Sequence, residues 1–333
     1  MNRARRIRQL VVAITVVVLL APCVLRAQSG SLLFVSNEIG RSLTIVNPAT
    51  RSVVATIPLG ERARGIRSSP DGKLVYVALS DDIPMRETAG DRIAVVDVAT
   101  RKVIARFRAG SDPEQFAVSP SGRFLYTSNE DAGTASATDI RTGKVIATMV
   151  VGIEPEGVGV SPDGRWVYVT AETSNSVSVI DTRTNKVVAN FLVDARPRAV
   201  AFSPDGTRAY VTAEIGGTLS IVDARKHEVL GSVELERGQA KPVGVVVSPD
   251  GRTVYVANGR GNTVSIVDAK SASVIATIPV GHRPWGIALS RDAKTLYTAD
   301  GLSDQVSVID VGARRVVGTI KVGARPWGVA LVE

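Results

Sequence analysis

Two landmarks recur along this 333-residue chain with one shared period, and nothing else in it constrains the fold as tightly. The tetrad Ser-Pro-Asp-Gly, or a near relative, begins at Ser69, Ser119, Ser161, Ser203, Ser248 and Ser290. An apolar run closed by Asn or Asp ends at Asn47, Asp97, Asp139, Asp181, Asp223, Asp268 and Asp310, at spacings of 50, 42, 42, 42, 45 and 42. Such periodicity marks a chain of stacked units, each burying its apolar faces only against its neighbours.

One unit serves for all. Gly157–Ser161 reads as a first strand, Arg165–Ala171 as a second, Ser176–Ile180 as a third and Lys186–Phe191 as a fourth. Ser161-Pro162-Asp163-Gly164 supplies the first hairpin turn: proline presets the backbone, aspartate caps it, and glycine accepts positive φ. The strands are short, rich in Val and Ile, and apolar at consecutive positions, as when both faces of a sheet are covered. Four-stranded units of that length with two buried faces stack radially as propeller blades. Ser31–Gly60 lacks a first strand, and Gly328–Glu333 is a first strand with nothing after it. Together they complete one blade, so the expectation is an all-β, seven-bladed propeller whose ring closes by pairing the two ends. The two long spacings place insertions at Asp81–Arg92 and Glu236–Gln239, both on the rim where the innermost strands begin.

Residues 1–27 read separately, as a secretory signal. Arg3, Arg5, Arg6 and Arg8 precede the apolar run Leu10–Ala21, and Leu25-Arg26-Ala27 offers a cleavage site. The run is too short for a membrane span. Leu20-Ala21-Pro22-Cys23 has the outline of a lipobox, which the proline fits poorly. The expectation is a periplasmic or secreted monomer with no span in the mature domain, residues 28–333. Cys23 is the only cysteine, so that domain has no thiol chemistry. The net charge of +8 includes five leader arginines and falls to +3 without them, which argues against a nucleic-acid partner.

The repeat is its own control: positions that build the blade recur, and positions that vary are free for other work. Before the proline that opens each first strand, or Ala63 in its place in blade two, blades one to seven carry Arg325, Arg62, Asp112, Glu154, Arg196, Lys241 and Arg283. After it come Trp327, Arg64, Glu114, Glu156, Arg198, Val243 and Trp285. The second strand ends at Glu38, Ser80, Glu130, Glu172, Glu214, Gly259 and Gly301. Wrapped into a ring, these place an acidic arc on blades three and four, arginines on both flanks, and tryptophans beside arginines on blades seven and one. Glu154 and Glu156, two apart on a strand, are expected to point together. As an exposed belt, the ion pairs would stabilise by only about 0–1 kcal/mol each. As a pocket, they would offer an acidic arc for a cation or basic group, arginines for carboxylates, and tryptophans as a flat apolar wall. The carboxylates match no recognised calcium loop, and no metal is assigned. Of two histidines, His227 falls in a hairpin on the opposite rim, read as an exposed turn. His282 lies beside Arg283, with Asp300 in the same blade. No phosphate loop, serine elbow or metal-spaced histidine set appears, so no catalytic residue is assigned.

The segments VYVTAE, SNE, NTVSIVDA and KVVATIPVG resemble the YVTN-type bacterial propellers. More narrowly, GSDPEQFAVSP (110–120), VGIEPEGVGVSPDG (151–164), LVDARPRAVAFSPDG (192–206) and AEIGGTLSIVD (213–223) are similar to the PQQ-dependent catabolism-associated propeller proteins. That resemblance covers residues 31–333 and implies an exported, periplasmic protein associated with quinoprotein alcohol oxidation. The chain lacks the tryptophan-docking repeats and adjacent cysteines of quinoprotein alcohol dehydrogenases, so no PQQ is assigned to it. The leading expectation is a non-catalytic binding or scaffold protein for a small anionic ligand, or for a periplasmic quinoprotein or transport component. The alternative is a lactonase-type hydrolase using the charged rim.

Overall fold

The Ser-Pro-Asp-Gly turns set the first hairpin of most blades, by a device that includes the serine. Ser161 Oγ donates to the Asp163 carboxylate at 2.5 Å and accepts from the Trp166 amide at 2.9 Å, while Gly164 takes φ +74°. Ser203, Ser248 and Ser290 repeat the contact at 2.6, 2.6 and 2.7 Å. In the last of these Ala293 stands in the glycine's place and is held at φ +57°.

The computed structural model describes residues 30–83 and 86–333; the expected signal over 1–27, with Cys23, lies outside the described residues. The unit Ser31–Glu333 is built from seven four-stranded antiparallel sheets, the blades of a propeller, with one 3-10 turn at Glu236–Gly238. In blade four the strands are Pro155–Val160, Trp166–Ala171, Ser176–Asp181 and Lys186–Leu192, within two residues of the boundaries read from sequence. The middle strands are buried at every position but the first, so both faces are covered as expected. The outermost strand instead alternates exposed with half-buried, because its far edge meets solvent.

The apolar core lies between blades. Tyr168, Val177 and Val179 of blade four pack with Val200, Val211 and Val222 of blade five, and similar clusters fill the other interfaces. His227, read as an exposed turn residue, belongs to this packing. It is half-buried at φ +60°, its Nδ1 lies 2.7 Å from the Tyr168 hydroxyl, and its ring meets Trp166 edge-on at 4.7 Å. The signal that could have found it was the apolar Trp166 in the adjacent blade.

The ring closes as the ends of the chain predict. Pro326–Val332 pairs antiparallel with Leu32–Asn37 as the innermost strand of blade one. Deleting residues 326–333 exposes that strand's edge and opens an interface on each side. Thermal denaturation of the truncated protein is expected to lose its single cooperative transition, whereas removing Glu333 alone leaves it unchanged.

Candidate functional site

Three backbone features aim the variable side chains at one end of the central channel. The residue before the proline takes a left-handed conformation in six blades: Asp112, Glu154, Arg196, Lys241, Arg283 and Arg325, with φ between +46° and +63°. Its carbonyl accepts from the amide at the end of the second strand, as Glu154 does from Glu172 at 2.9 Å and Arg196 from Glu214 at 2.8 Å. Non-glycine residues adopt that conformation at a cost, and it persists only where surrounding bonds hold it. A hydroxyl one blade back then fixes the residue after the proline. Ser36 Oγ donates to the Arg64 carbonyl at 2.6 Å, Ser128 Oγ to that of Glu156 at 2.5 Å, and Thr212 Oγ1 to that of Val243 at 2.6 Å. These hydroxyls are absent from the expected site; their signal is the Ser or Thr recurring near the end of the second strand.

The mouth so formed encloses about 220 Å³. Around its inner ring stand Trp327, Arg64, Glu114, Glu156, Arg198, Val243 and Trp285, in blade order. One arc is therefore charged, in the order cation, anion, anion, cation. The other is apolar, with Trp285 and Trp327 packed at 5.6 Å over Val243.

The ion pairs of the charged arc are buried, which corrects the picture of an exposed belt. Arg198, whose side chain is 7% exposed, meets Glu156 at 2.6 Å, Glu214 at 2.7 Å and Glu172 more closely still. Arg196 adds contacts to Glu172 at 2.5 Å and Glu214 at 3.6 Å. Across the arc Arg64 contacts Glu114, with Glu38 at 3.3 Å, Asp112 at 3.5 Å and Glu130 at 3.6 Å. Arg62 joins Asp112 at 3.2 Å and reaches Asp82 of the blade-two insertion at 3.3 Å; Arg325 joins Glu38 at 3.5 Å. Burying such charges costs several kcal/mol per ion unless partners surround it, so each member holds the others in place. Asp112, Glu114 and Glu130 bring carboxylate oxygens within 4.8 Å of one another, as a metal site would, and Arg64 is the cation they meet.

Crowding separates the carboxyls' titrations. Burial raises Glu172, and its hydrogen bond to Glu156 and that group's charge raise it further, to about 9, against Arg198 and Arg196. Burial alone would raise Glu156 too, but Arg198, the Glu172 bond and Arg64 outweigh it and hold that carboxylate low. Glu130 is pushed up to about 7 by burial and by Glu156, with Arg64 opposing. Of the arc's carboxyls, Glu172 is therefore the one driven furthest toward keeping a proton, with Glu156 as its acceptor, and Glu130 follows.

Other expected rim residues stand apart. Glu154 and Glu156 diverge: Glu156 is buried, whereas Glu154 is exposed and accepts from Thr173 Oγ1. The left-handed backbone at Glu154 and the register shift between Pro155 and Val158 break the alternation that the two-residue spacing implied. His282 is exposed and outside the cavity's wall. Asp300 is buried and committed to Thr298, Ser307, Gln305 and the Gly281 amide. It takes the place held by Asn129 and Asn258 in their blades, where the amide clamps hydroxyls of the third strand.

Arg283 differs from the arginines of the arc. It stacks on Trp285 at 4.8 Å, and among the described residues no carboxylate comes within ion-pair distance of it. Burial lowers its pKa; Glu214 opposes this, and nearby Arg325, Arg260 and Arg198 add to it. The Trp285 Nε1–H is buried with no acceptor.

Comparison with known proteins places the chain among propellers. The model of the cytochrome D1 heme domain matches residues 80–201, and that of the lactonase, 7-bladed beta-propeller, matches residues 190–319. No curated protein matches. Among solved structures, Kuenenia stuttgartiensis hydrazine synthase is similar at TM-score 0.75 and 22% identity, over 84% of this chain and 92% of that one. A functionally unknown protein from Desulfotomaculum acetoxidans gives 0.76 and 20%, over 91% and 99%. A putative 6-phosphogluconolactonase from Bacteroides fragilis gives 0.73 and 17%, over 92% and 99%. At these identities the likeness is one of fold.

The Glu172 proton makes stability depend on pH with a definite sign. Between the unfolded carboxyl value, about 4.3, and the raised folded value, the native protein keeps a proton the unfolded chain has lost. That contribution is fully present below the unfolded value and is lost as pH rises toward about 9. Glu172→Gln keeps the donor without titrating, so its denaturation midpoint is expected to gain on the wild type's steadily from pH 6 to pH 9. Parallel curves would remove the assignment.

Proposed function

We propose that the mouth is the receptor site of a non-catalytic binding or scaffold protein that recognises a small anion with a flat or apolar body. The observation that carries this reading is Arg283, a half-buried guanidinium stacked on Trp285 that meets no carboxylate among the described residues. A ligand carboxylate would complete it, and the Trp285–Trp327 wall suits a planar group. The ion-paired arc opposite would serve as a rigid, locally neutral frame. The leader pattern supports a periplasmic setting. The PEQ, EPEG, DARPR and EIGG series supports a partner in quinoprotein alcohol oxidation.

Isothermal titration of the protein with pyrroloquinoline quinone, a flat tricarboxylate, and with benzoate tests this. Saturable binding is expected for at least one, weakened about tenfold or more in Arg283→Ala through loss of a charge-assisted contact. Arg283 supports no ion pair, so the variant should fold normally. Absence of saturable binding, or equal affinity in the variant, would overturn the reading.

A second reading, lactone hydrolysis, is favoured by one observation: of the glutamates lining the mouth, Glu130 is the most open, its side chain 26% exposed, and burial with the Glu156 charge raises its pKa to about 7, where a general base is most effective. With Glu154 and His282 outside the cavity, Glu130 is the group that would activate water against a lactone carbonyl, opening the ring to a hydroxy acid. Glucono-δ-lactone turnover above the uncatalysed rate, rising through pH 7 and lost in Glu130→Gln, is the expected signature. Its absence leaves the mouth as a binding site only.

A further inference from the structure

Beneath the mouth, the central channel departs from its own repeat at two positions, and the two departures touch. The channel-facing residue of the first strand is Ala330, Ala117, Gly159, Ala201, Val246 and Ala288 in six blades, and Arg67 in blade two. Two residues earlier stand Gly328, Gly65, Gly157, Ala199, Gly244 and Gly286, with Gln115 in blade three the exception. Glycine recurs there because the strands nearly touch: a Cβ on Gly157 would lie 2.4 Å from the Arg198 carbonyl oxygen. Arg67 donates from Nη2 to Gln115 Oε1 at 3.2 Å and from Nη1 to the Ile66 carbonyl at 2.8 Å. Among the described residues it has no ion pair.

Arg67 stands where two cavities adjoin. Above it a small one, about 40 Å³, is bounded by Gln115 and by Trp285, whose Nε1–H is buried without an acceptor. Space of that size admits a carboxylate head, since one water needs roughly 10–15 Å³. Below it a wider one, about 480 Å³, opens toward the opposite face of the ring. Val158, Val200, Val245, Ile287 and Val329 line both. Among the described residues Arg67 is the only charged side chain bordering either, and no carboxylate does. Arg67 is exposed to the channel, and an accessible cation at the head of an aliphatic funnel, facing only neutral groups, suits an anion with a greasy body.

We propose that the lower channel is a second binding site, taking an aliphatic monocarboxylate with its head on Arg67 and Gln115 and its chain in the funnel. The site is separate from the mouth, since Arg67 and Arg283 border different cavities. Four blades carry alanine at the position of Arg67, so Arg67→Ala is compatible with the fold. Titration calorimetry with octanoate and with octanol, at equal chain length, separates the charge from the apolar contact. The wild type is expected to bind octanoate saturably and more tightly than octanol. Arg67→Ala should weaken octanoate by about 10–100-fold, the range of a lost charge-assisted hydrogen bond, and leave octanol unchanged. Ala201→Trp, which fills the funnel, should abolish both; each titration is made in the Arg283→Ala background as well, which removes the mouth's unpaired cation, so that the binding read there is that of the funnel. Failure of octanoate to saturate, equal affinity for octanol, equal octanoate affinity in Arg67→Ala, or binding that survives Ala201→Trp would each overturn the proposal.

Discussion

Seven innermost strands converge on one axis so tightly that some of their positions accept no side chain. At Gly157, Gly244 and Gly286 an added Cβ would meet the backbone of the next blade at 2.4, 2.3 and 2.8 Å. Everything functional follows from that convergence. One position per blade is forced to the centre, where it meets its counterparts from the other blades. A glutamate placed there is at once buried among glutamates, and the chain must supply arginines from neighbouring blades or let the carboxyl keep its proton. It does both: Arg64 and Arg198 bracket the acidic arc, and Glu172 is pushed toward its protonated form beside Glu156.

Neutralisation is incomplete by design of the ring's composition. The arc from blade two to blade five balances its charges internally, while Val243, Trp285 and Trp327 replace charge by apolar surface on the remaining blades. Arg283 projects over that apolar sector, out of ion-pair range of the acids that satisfy the other arginines. A single mouth thus holds one arc whose charges are satisfied and one where a cation is left, among the described residues, without a carboxylate.

The architecture was legible because it rests on features that repeat. The Ser-Pro-Asp-Gly turns, the runs closed by aspartate and the split first blade each carry their meaning locally, and strand limits came within two residues. The site was legible only as a set of positions. Comparing blades picked out Arg64, Glu114, Glu130, Glu156, Glu172, Arg198 and Trp285, all of which border the mouth. It failed on direction for Glu154, because a left-handed residue followed by a bulge undoes the rule that residues two apart share a face. It failed on burial, because whether Arg198 is exposed depends on three carboxylates contributed by three strands. His227 was misread for the same reason: its partners, Trp166 and Tyr168, belong to another blade. Arg67 and Gln115 lie at positions that comparison did not reach, because nothing in the sequence alone says that those positions face one channel.

The pairing that closes the ring also has a consequence in time. Ser36 Oγ bonds the Gly328 backbone across 292 residues of chain, whereas the hairpins inside each blade join residues a few positions apart. Contacts between near neighbours in sequence form early in folding, and distant ones wait on loop closure. Blades two to seven can therefore be largely assembled while blade one is still missing its innermost strand. That strand carries Trp327, half of the aromatic wall, on the residue next to Pro326. The mouth is thus completed at the last long-range step, and a chain stalled before it has most of its sheets and no finished mouth.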